Sequence, residues 1–303
     1  MENNVVVCTD SNYSKYIPVL FESVILNTTK DINFYVIYSS IDNTDIKNIT
    51  KVVSQKNNSS VLFIKFDFLK EVSRLGYNQD FPSFRGGYDA YSRIFLTSLL
   101  KSYKVKYCLY LDIDTIVNNN IDELFDIQKN IKYIGGVIDT ISIESKIILA
   151  KPNYINSGVL ILNLFNLEKF CFAEKSLNFA KNNLSKLVLP DQDIINNVFP
   201  SEIDYLTVLD TKFNMYYSKT AMVKSGSILH YTGPYKPWMP DCRWRLKKCI
   251  WVKYALATKF LLKDWKINKT SVRILGLLIN NSRLFLNLKL QICLFLRKIK
   301  DCK

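Results

Sequence analysis

The sequence is poor in features that mark secreted, membrane-spanning or repetitive proteins. Its seven cysteines form no Cys-x-x-Cys pair, and an odd number cannot all pair within one chain. Several sit in apolar runs such as Val5-Val6-Val7-Cys8, which suits small buried hydrophobes in a reducing compartment. No run of about 18 apolar residues occurs, so no bilayer-spanning helix is expected. The apolar stretches near the end are cut by Arg273, Arg283 and Lys289. Met1-Glu2-Asn3-Asn4 has neither the basic flank nor the apolar stretch of a secretory signal. No repeat with a period of about 20 to 50 residues is present. Charged residues at 22% beside 48% hydrophobic ones exclude general disorder. The expectation is a cytoplasmic protein.

What is present is 303 residues, enough for one large or two small domains, with a net charge of +14. That charge is unevenly placed. From Lys236 onward there are 17 Lys/Arg and 3 Asp/Glu, whereas the first 235 residues hold 24 of each sign. A neutral body carries a basic appendage. The expected division is a catalytic domain over 1–240 and a basic, aromatic and leucine-rich segment over 241–303, with a soft boundary near Pro240.

Short β-branched or aromatic runs alternate with amphipathic segments along the first 160 residues or so. Val5–Cys8, Asn33–Tyr38, Val61–Lys65, Tyr107–Leu111 and Tyr133–Val137 read as buried strands. Helices are expected over Tyr16–Leu26, Thr44–Gln55 and Tyr91–Leu100. The alternation argues for an α/β fold with a mostly parallel sheet, whose ligands bind beyond the carboxyl ends of the strands. Further on, strands are expected over Tyr154–Leu162, Tyr205–Leu209 and Ser227–Tyr231, and helices over Leu167–Asn182 and Asp191–Val198.

The strongest local signal is Tyr107-Cys-Leu-Tyr-Leu-Asp112-Ile113-Asp114, an apolar strand running into two carboxylates. Asp-x-Asp often only opens a turn or caps a helix. At a strand end, however, both carboxylates can turn toward one point, where hard oxygen donors suit Mn²⁺ or Mg²⁺ completed by diphosphate oxygens. The only histidine lies in Ile228-Leu-His230-Tyr-Thr-Gly233-Pro-Tyr-Lys236-Pro-Trp238. A lone histidine is usually structural. This one ends a strand, and a neutral imidazole can complete a metal shell that Mn²⁺ tolerates better than Mg²⁺. Gly233 allows close backbone approach, and Lys236 offers a point charge for phosphate.

Three weaker clusters also fit a ligand site. Thr9-Asp10-Ser-Asn-Tyr13 follows the first strand, where it can read a base or ribose or simply cap the next helix. Asn156-Ser157-Gly158 opens a strand with groups suited to sugar hydroxyls. Pro190-Asp191-Gln192-Asp193 starts a helix, where Asp191 and Gln192 serve either as caps or as contacts to a polar substrate.

Taken in order together with Tyr91-Ser-Arg93, these five pieces resemble glycosyltransferase family 8, the retaining galactosyl- and glucosyltransferases that include the lipooligosaccharide α-galactosyltransferases and glycogenin. The six are Val-Cys8-Thr9-Asp10-Ser-Asn-Tyr13, Tyr91-Ser-Arg93, Tyr-Leu-Asp112-Ile113-Asp114, Tyr-Ile-Asn156-Ser-Gly158, Pro-Asp191-Gln192-Asp193, and His230-Tyr-Thr-Gly233-Pro-x-Lys236-Pro-Trp238. The last is the most specific, and the resemblance covers roughly residues 4 to 240. It implies a GT-A-type nucleotide-diphospho-sugar transferase fold, to which the basic residues 241–303 are expected to add a helical C-terminal extension. It implies Mn²⁺, or Mg²⁺, on Asp112, Asp114 and His230, and UDP-galactose or UDP-glucose as donor. Asp10 and Tyr13 would contact the uridine, with Cys8, Thr9 and Ile113 also at the donor. Gly233 and Lys236 would hold the diphosphate, while Arg93, Asn156, Asp191 and Gln192 would surround the transferred sugar. Asp191, Gln192 and Asn156 would be its catalytic residues. The acceptor would be a glycan, such as lipopolysaccharide, lipooligosaccharide or another membrane-linked saccharide.

After Pro240, Cys242-Arg-Trp-Arg-Leu-Lys-Lys-Cys-Ile-Trp251 mixes tryptophan with cations. That combination suits the surface of an anionic bilayer, at about 1 kcal/mol per well-placed cation. A solvated basic helix packed on the body is the plainer reading. Nucleic-acid binding is set aside because the body is neutral and carries the donor-site pieces. The enzyme is therefore expected on the inner face of the cell membrane, and removal of 245–303 is expected to release it while sparing donor hydrolysis. The rivals are a metal-dependent hydrolase or nucleotidyltransferase using the paired Asp, and a non-enzymatic basic peripheral membrane protein.

Overall fold

A computed structural model describes residues 2–78, 80–83, 87–216, 227–239 and 245–258. The strands are β1 (Asn3–Thr9), β2 (Ile32–Tyr38), β3 (Ser60–Lys65), β4 (Tyr107–Leu111), β5 (Thr115–Val117), β6 (Ile134–Ile138), β7 (Ile155–Asn163), β8 (Leu206–Val208), β9 (Met215–Tyr216) and β10 (Ile228–His230). The α-helices are α1 (Ile17–Leu26), α2 (Asn43–Val53), α3 (Phe68–Arg74), α4 (Leu96–Leu99), α5 (Asp122–Ile127), α6 (Thr140–Glu144), α7 (Leu164–Lys169), α8 (Phe172–Asn183), α9 (Pro190–Asn197) and α10 (Arg245–Thr258).

Seven strands form one sheet in the order β3-β2-β1-β4-β7-β6-β8, and only β7 runs against the others. The β-branched runs explain this placement, because central strands covered on both faces must be apolar on both. All nine residues of β7 are buried. Alternate side chains feed two cores. Val6, Cys8, Tyr110, Leu160 and Leu162 face one side, while Val5, Val7, Leu109, Leu111, Val159 and Ile161 face the other. A second sheet, β5-β10-β9, stands beside the first.

The expected strands and the mostly parallel α/β sheet are present. Two helices differ from expectation. The segment read as Leu167–Asn182 is two helices, broken at Cys171, whose φ of 58° is left-handed and cannot continue a helix. Cys171 is also exposed, unlike the buried Cys8 and Cys108. The segment read as a helix over Tyr91–Leu100 is a 3₁₀-helix over Asp89–Phe95 followed by the single turn of α4.

α10 is the described part of the C-terminal segment, and residues 259–303 lie outside the described residues. It packs on α1, burying Trp251, Tyr254 and Ala255 with Val19, Ile116, Tyr231 and Trp238. Of the two tryptophans read from sequence as bilayer-facing, Trp251 is thus only 2% exposed and belongs to the body, while Trp244 lies outside the described residues. Among the described residues no helix is long and apolar enough to cross a membrane.

Candidate active site

The parallel strands β1, β4 and β6 all end at one edge of the sheet, and the reversed β7 begins there. Asp10 therefore follows β1, Asp112 follows β4, Asp139 follows β6, and Asn156, Ser157 and Gly158 open β7. The Asp112 backbone N–H donates to the Gly158 carbonyl at 2.8 Å, which ties two of these ends together. Asp112-Ile113-Asp114 is a turn closed by the Thr115 N–H on the Asp112 carbonyl at 3.0 Å. It leads into β5, and the antiparallel register of β5 with β10 sets His230 opposite Thr115. The Tyr231 N–H completes the junction on the Asp114 carbonyl at 2.9 Å. Strand register, not sequence proximity, brings the histidine to the paired carboxylates.

His230 Nε2 lies 3.2 Å from Asp114 Oδ1 and 3.8 Å from Asp112 Oδ2. One ligand atom from each of the three residues falls within 4.8 Å of the others. Two carboxylates and an imidazole suit a borderline-hard divalent ion such as Mn²⁺. The packing admits this approach only because residue 158 is glycine: a Cβ there would collide with His230 Cε1 and sit 2.8 Å from Asp112 Oδ2. Burial alone would raise the Asp114 carboxyl, but the Lys236 ammonium and His230 beside it hold it well below the usual carboxylate range. Lys236 pairs with Asp114 Oδ2 and donates to the Tyr231 carbonyl at 3.0 Å.

Arg93 forms the opposite wall. Its buried guanidinium donates to Asp112 Oδ1 at 2.8 Å and to the Ser157 carbonyl at 2.7 Å, and lies 3.1 Å from Asp191 Oδ2. It also sits 4.4 Å over the ring of Tyr110, whose hydroxyl donates to Asp112 Oδ1 at 2.8 Å. Such a fork fixes two carboxylates in one plane. Burial pushes the Asp191 carboxyl up, partly offset by Arg93. Ser157 Oγ donates to Asp191 Oδ2 at 2.9 Å, while Gln192 Oε1 accepts from Asn156 Nδ2 at 3.1 Å and from the Ser157 N–H at 3.0 Å. Asp193 takes a different part. It caps the start of α9 by accepting from the Val188 and Leu189 N–H groups and from the Tyr154 hydroxyl.

At the far end, Asp10 Oδ1 accepts from the N–H groups of Asn12 at 2.9 Å and Tyr13 at 3.2 Å. Tyr13 stands edge-on to Trp238, which stacks on Tyr16 at 4.0 Å and meets Trp251 at 6.0 Å. The chain turns at Gly233 with φ of +87°, the left-handed region that glycine enters freely. The loop carrying Lys236 is thus backed by aromatic rings from α10.

A single cleft of about 450 Å³ joins these parts, and it is lined by Cys8, Thr9, Asp10, Tyr13, Arg93, Asp112, Ile113, Asp114, Asn156, Asp191, Gln192, His230, Gly233 and Lys236. Every site residue expected from the sequence borders it. So do Asp89, Asp139 and Tyr216, which the sequence reading does not single out, while Asn214 lies behind His230. Asp139 is findable, since it directly follows a strand that the alternation identifies. Asp89 sits near the Tyr91-Ser-Arg93 piece, whereas Asn214 and Tyr216 lie by a two-residue strand too short to leave a pattern.

The sequence profile of glycosyl transferase family 8 matches residues 4–242. The chain belongs to glycosyl transferase family 8. This family 8 protein is 28% identical over 257 residues to the lipopolysaccharide 1,2-glucosyltransferase of Escherichia coli K12, covering 78% of this chain and 72% of that protein. It is 25% identical over 258 residues to general stress protein A of Bacillus subtilis, covering 78% and 87%. Its fold matches the galactosyltransferase LgtC, solved in complex with donor and acceptor sugar analogs. That match has a TM-score of 0.70 and 22% identity, and it covers 87% of this chain and 99% of LgtC. The likeness establishes a GT-A-type fold. Family membership makes the protein a glycosyltransferase and sets aside the hydrolase and nucleotidyltransferase readings.

Proposed function

We propose that this glycosyltransferase moves a hexose, galactose or glucose, from a UDP-sugar to a glycan acceptor with retention at the anomeric carbon, using Mn²⁺ held by Asp112, Asp114 and His230. The observation that carries the reading is the meeting of His230 Nε2 with both carboxylates, at 3.2 and 3.8 Å, inside the cleft that the other motif residues line. When bound, the ion supplies Lewis acidity that neutralises charge on the departing diphosphate. The chain's own residues do the rest. Asp10 and Tyr13 hold the uridine, with Cys8, Thr9 and Ile113 beside it. Lys236 and the backbone at Gly233 add fixed positive potential for the diphosphate. Arg93, Asn156, Asp191 and Gln192 orient the sugar.

Retention needs either a covalent intermediate or attack from the face that the diphosphate leaves. Gln192 Oε1 already accepts two hydrogen bonds, and Asp191 Oδ2 is held by Ser157 and Arg93. An amide oxygen that already accepts hydrogen bonds is a poor nucleophile, which favours same-face attack by the acceptor over covalent attack by Gln192.

The acceptor we propose is a membrane-linked saccharide such as lipopolysaccharide or lipooligosaccharide, reached from the inner face of the cell membrane. The net charge of +14, concentrated from Lys236 onward, supports that location, since cations near an anionic surface are attracted to it. Incubation with a panel of UDP-sugars and Mn²⁺, reading free UDP, tests the donor assignment. Turnover of UDP-galactose or UDP-glucose above the other UDP-sugars is expected; preference for a UDP-N-acetylhexosamine overturns it.

A further inference from the structure

Behind His230 runs a chain of side-chain amides whose polarity can be read link by link. The Ser157 backbone N–H can only donate, and it donates to Gln192 Oε1 at 3.0 Å. That end of Gln192 is therefore the oxygen, and the Asn156 group facing it at 3.1 Å is Nδ2. The Gly158 N–H independently donates to Asn156 Oδ1 at 2.9 Å. The Asn214 group facing this same oxygen at 2.9 Å must then be Nδ2. Asn214 Oδ1 is left facing His230 Nδ1 at 2.9 Å. At the other end, Gln192 Nε2 donates to Asp139 Oδ2 at 2.8 Å, a carboxylate acceptor that agrees with the same polarity. The sense of all three amides thus follows from backbone N–H groups that can only donate, and Asn214, Asn156, Gln192 and His230 are buried.

We propose that Asn214 is a positioning residue for the metal centre: locked by Asn156, it accepts from His230 Nδ1–H and so leaves the lone pair on Nε2, the nitrogen that faces Asp112 and Asp114. A metal-bound imidazole needs its free nitrogen lone pair on the ligating side, and the partner on the other nitrogen sets ring orientation and tautomer. The residues that orient His230 are tied to the ones that line the proposed sugar site, Asn156 and Gln192. Asn214 acts through the ring. The inference rests on the proposed metal role of His230.

The sequence helps the test, because its single histidine gives one set of ring resonances in untagged protein. Two variants are compared with the wild type, Asn214→Leu and Asn214→Asp. Mn²⁺ affinity is read from free Mn²⁺ by electron paramagnetic resonance, and ring protonation by ¹⁵N NMR with Zn²⁺ as a diamagnetic ion. In the wild type Nδ1 is expected to carry the proton in the Zn²⁺ complex. Asn214→Leu should weaken Mn²⁺ binding by about 10- to 100-fold, the range for losing such an outer partner. Asn214→Asp keeps an acceptor at Nδ1 but loses the donor that faces Asn156 Oδ1, so it should recover only part of that loss. Thermal unfolding of each variant separates a folding defect from a loss of affinity in the folded protein. Unchanged Mn²⁺ affinity in folded Asn214→Leu, or equal losses in the Leu and Asp variants, overturns the positioning role alone. Absence of Mn²⁺ binding by the wild type overturns the metal reading itself, and this inference with it.

Discussion

Gly158 and His230 share a space that a single methyl group would fill: a Cβ on residue 158 would collide with His230 Cε1 and lie 2.9 Å from its Nδ1. The close approach follows from two registers, β4 against β7 and β5 against β10, which meet at the Asp112–Asp114 turn. The glycine of the Asn156-Ser157-Gly158 piece is thus required by the neighbouring ring.

Gly158→Ala should therefore act on the site more than on the fold. Overpacking of this kind costs about 1–3 kcal/mol. Displacing a ligand by an ångström costs roughly 100-fold in rate. Thermal unfolding and UDP release, measured on the same preparation, check the two effects. Near-normal UDP release from Gly158→Ala would mean that His230 has no fixed place in the reaction.

The packing of α10 changes the expected outcome of truncation. The sequence alone predicts that removing 245–303 spares donor hydrolysis. The helix over 245–258, however, buries Trp251 and Tyr254 against α1 and backs Trp238, two residues from Lys236. Removing it strips the wall behind that loop. Trp251→Ala alone should cost about 3–5 kcal/mol. A chain ending at Thr258 should keep donor hydrolysis and lose binding to anionic vesicles, whereas one ending at Trp244 should be destabilised. Urea unfolding and vesicle sedimentation of the two truncations provide the check, and equal stability of both would refute the buttressing role.

Asp89 gives a pH dependence with a definite sign. Burial pushes its carboxyl up to about 6, against the hydrogen bonds from Ser39 that lower it and with Asp10 adding to the rise. The folded state thus binds this proton more tightly than the unfolded state. Stability from this group is present at low pH and falls as pH rises from about 4 to about 6. Asp89→Asn removes the ionisation. Its melting temperature should exceed that of the wild type at pH 7, and the gap should close near pH 4. A gap that is constant across this range would contradict the buried-carboxylate account.

The sheet is largely legible in the sequence because its central strands are apolar on both faces, as Val5–Cys8 and Tyr107–Leu111 display. The motif residues are legible because strand ends and tight turns restrict which residue types fit, as Gly233 and the Asp112-Ile113-Asp114 turn do. Other features leave no such mark. Cys171 takes a left-handed conformation without being glycine, so no punctuation announces the break between α7 and α8. Asn214 is placed by contacts 16 and 58 residues away, which no local pattern encodes. Trp251 lies among cations that suggest a membrane surface, yet its partners Tyr16 and Trp238 are on the body.

The most direct test of the metal-dependent transfer is UDP release from UDP-galactose and UDP-glucose across a Mn²⁺ titration, with wild type beside Asp114→Ala. The wild type should show release that rises with Mn²⁺ and saturates. Asp114→Ala, lacking the carboxylate 3.2 Å from His230 Nε2, should fall by roughly 100-fold or more at every Mn²⁺ concentration. Near-wild-type release from the variant, or release by the wild type that is indifferent to Mn²⁺, would contradict the account.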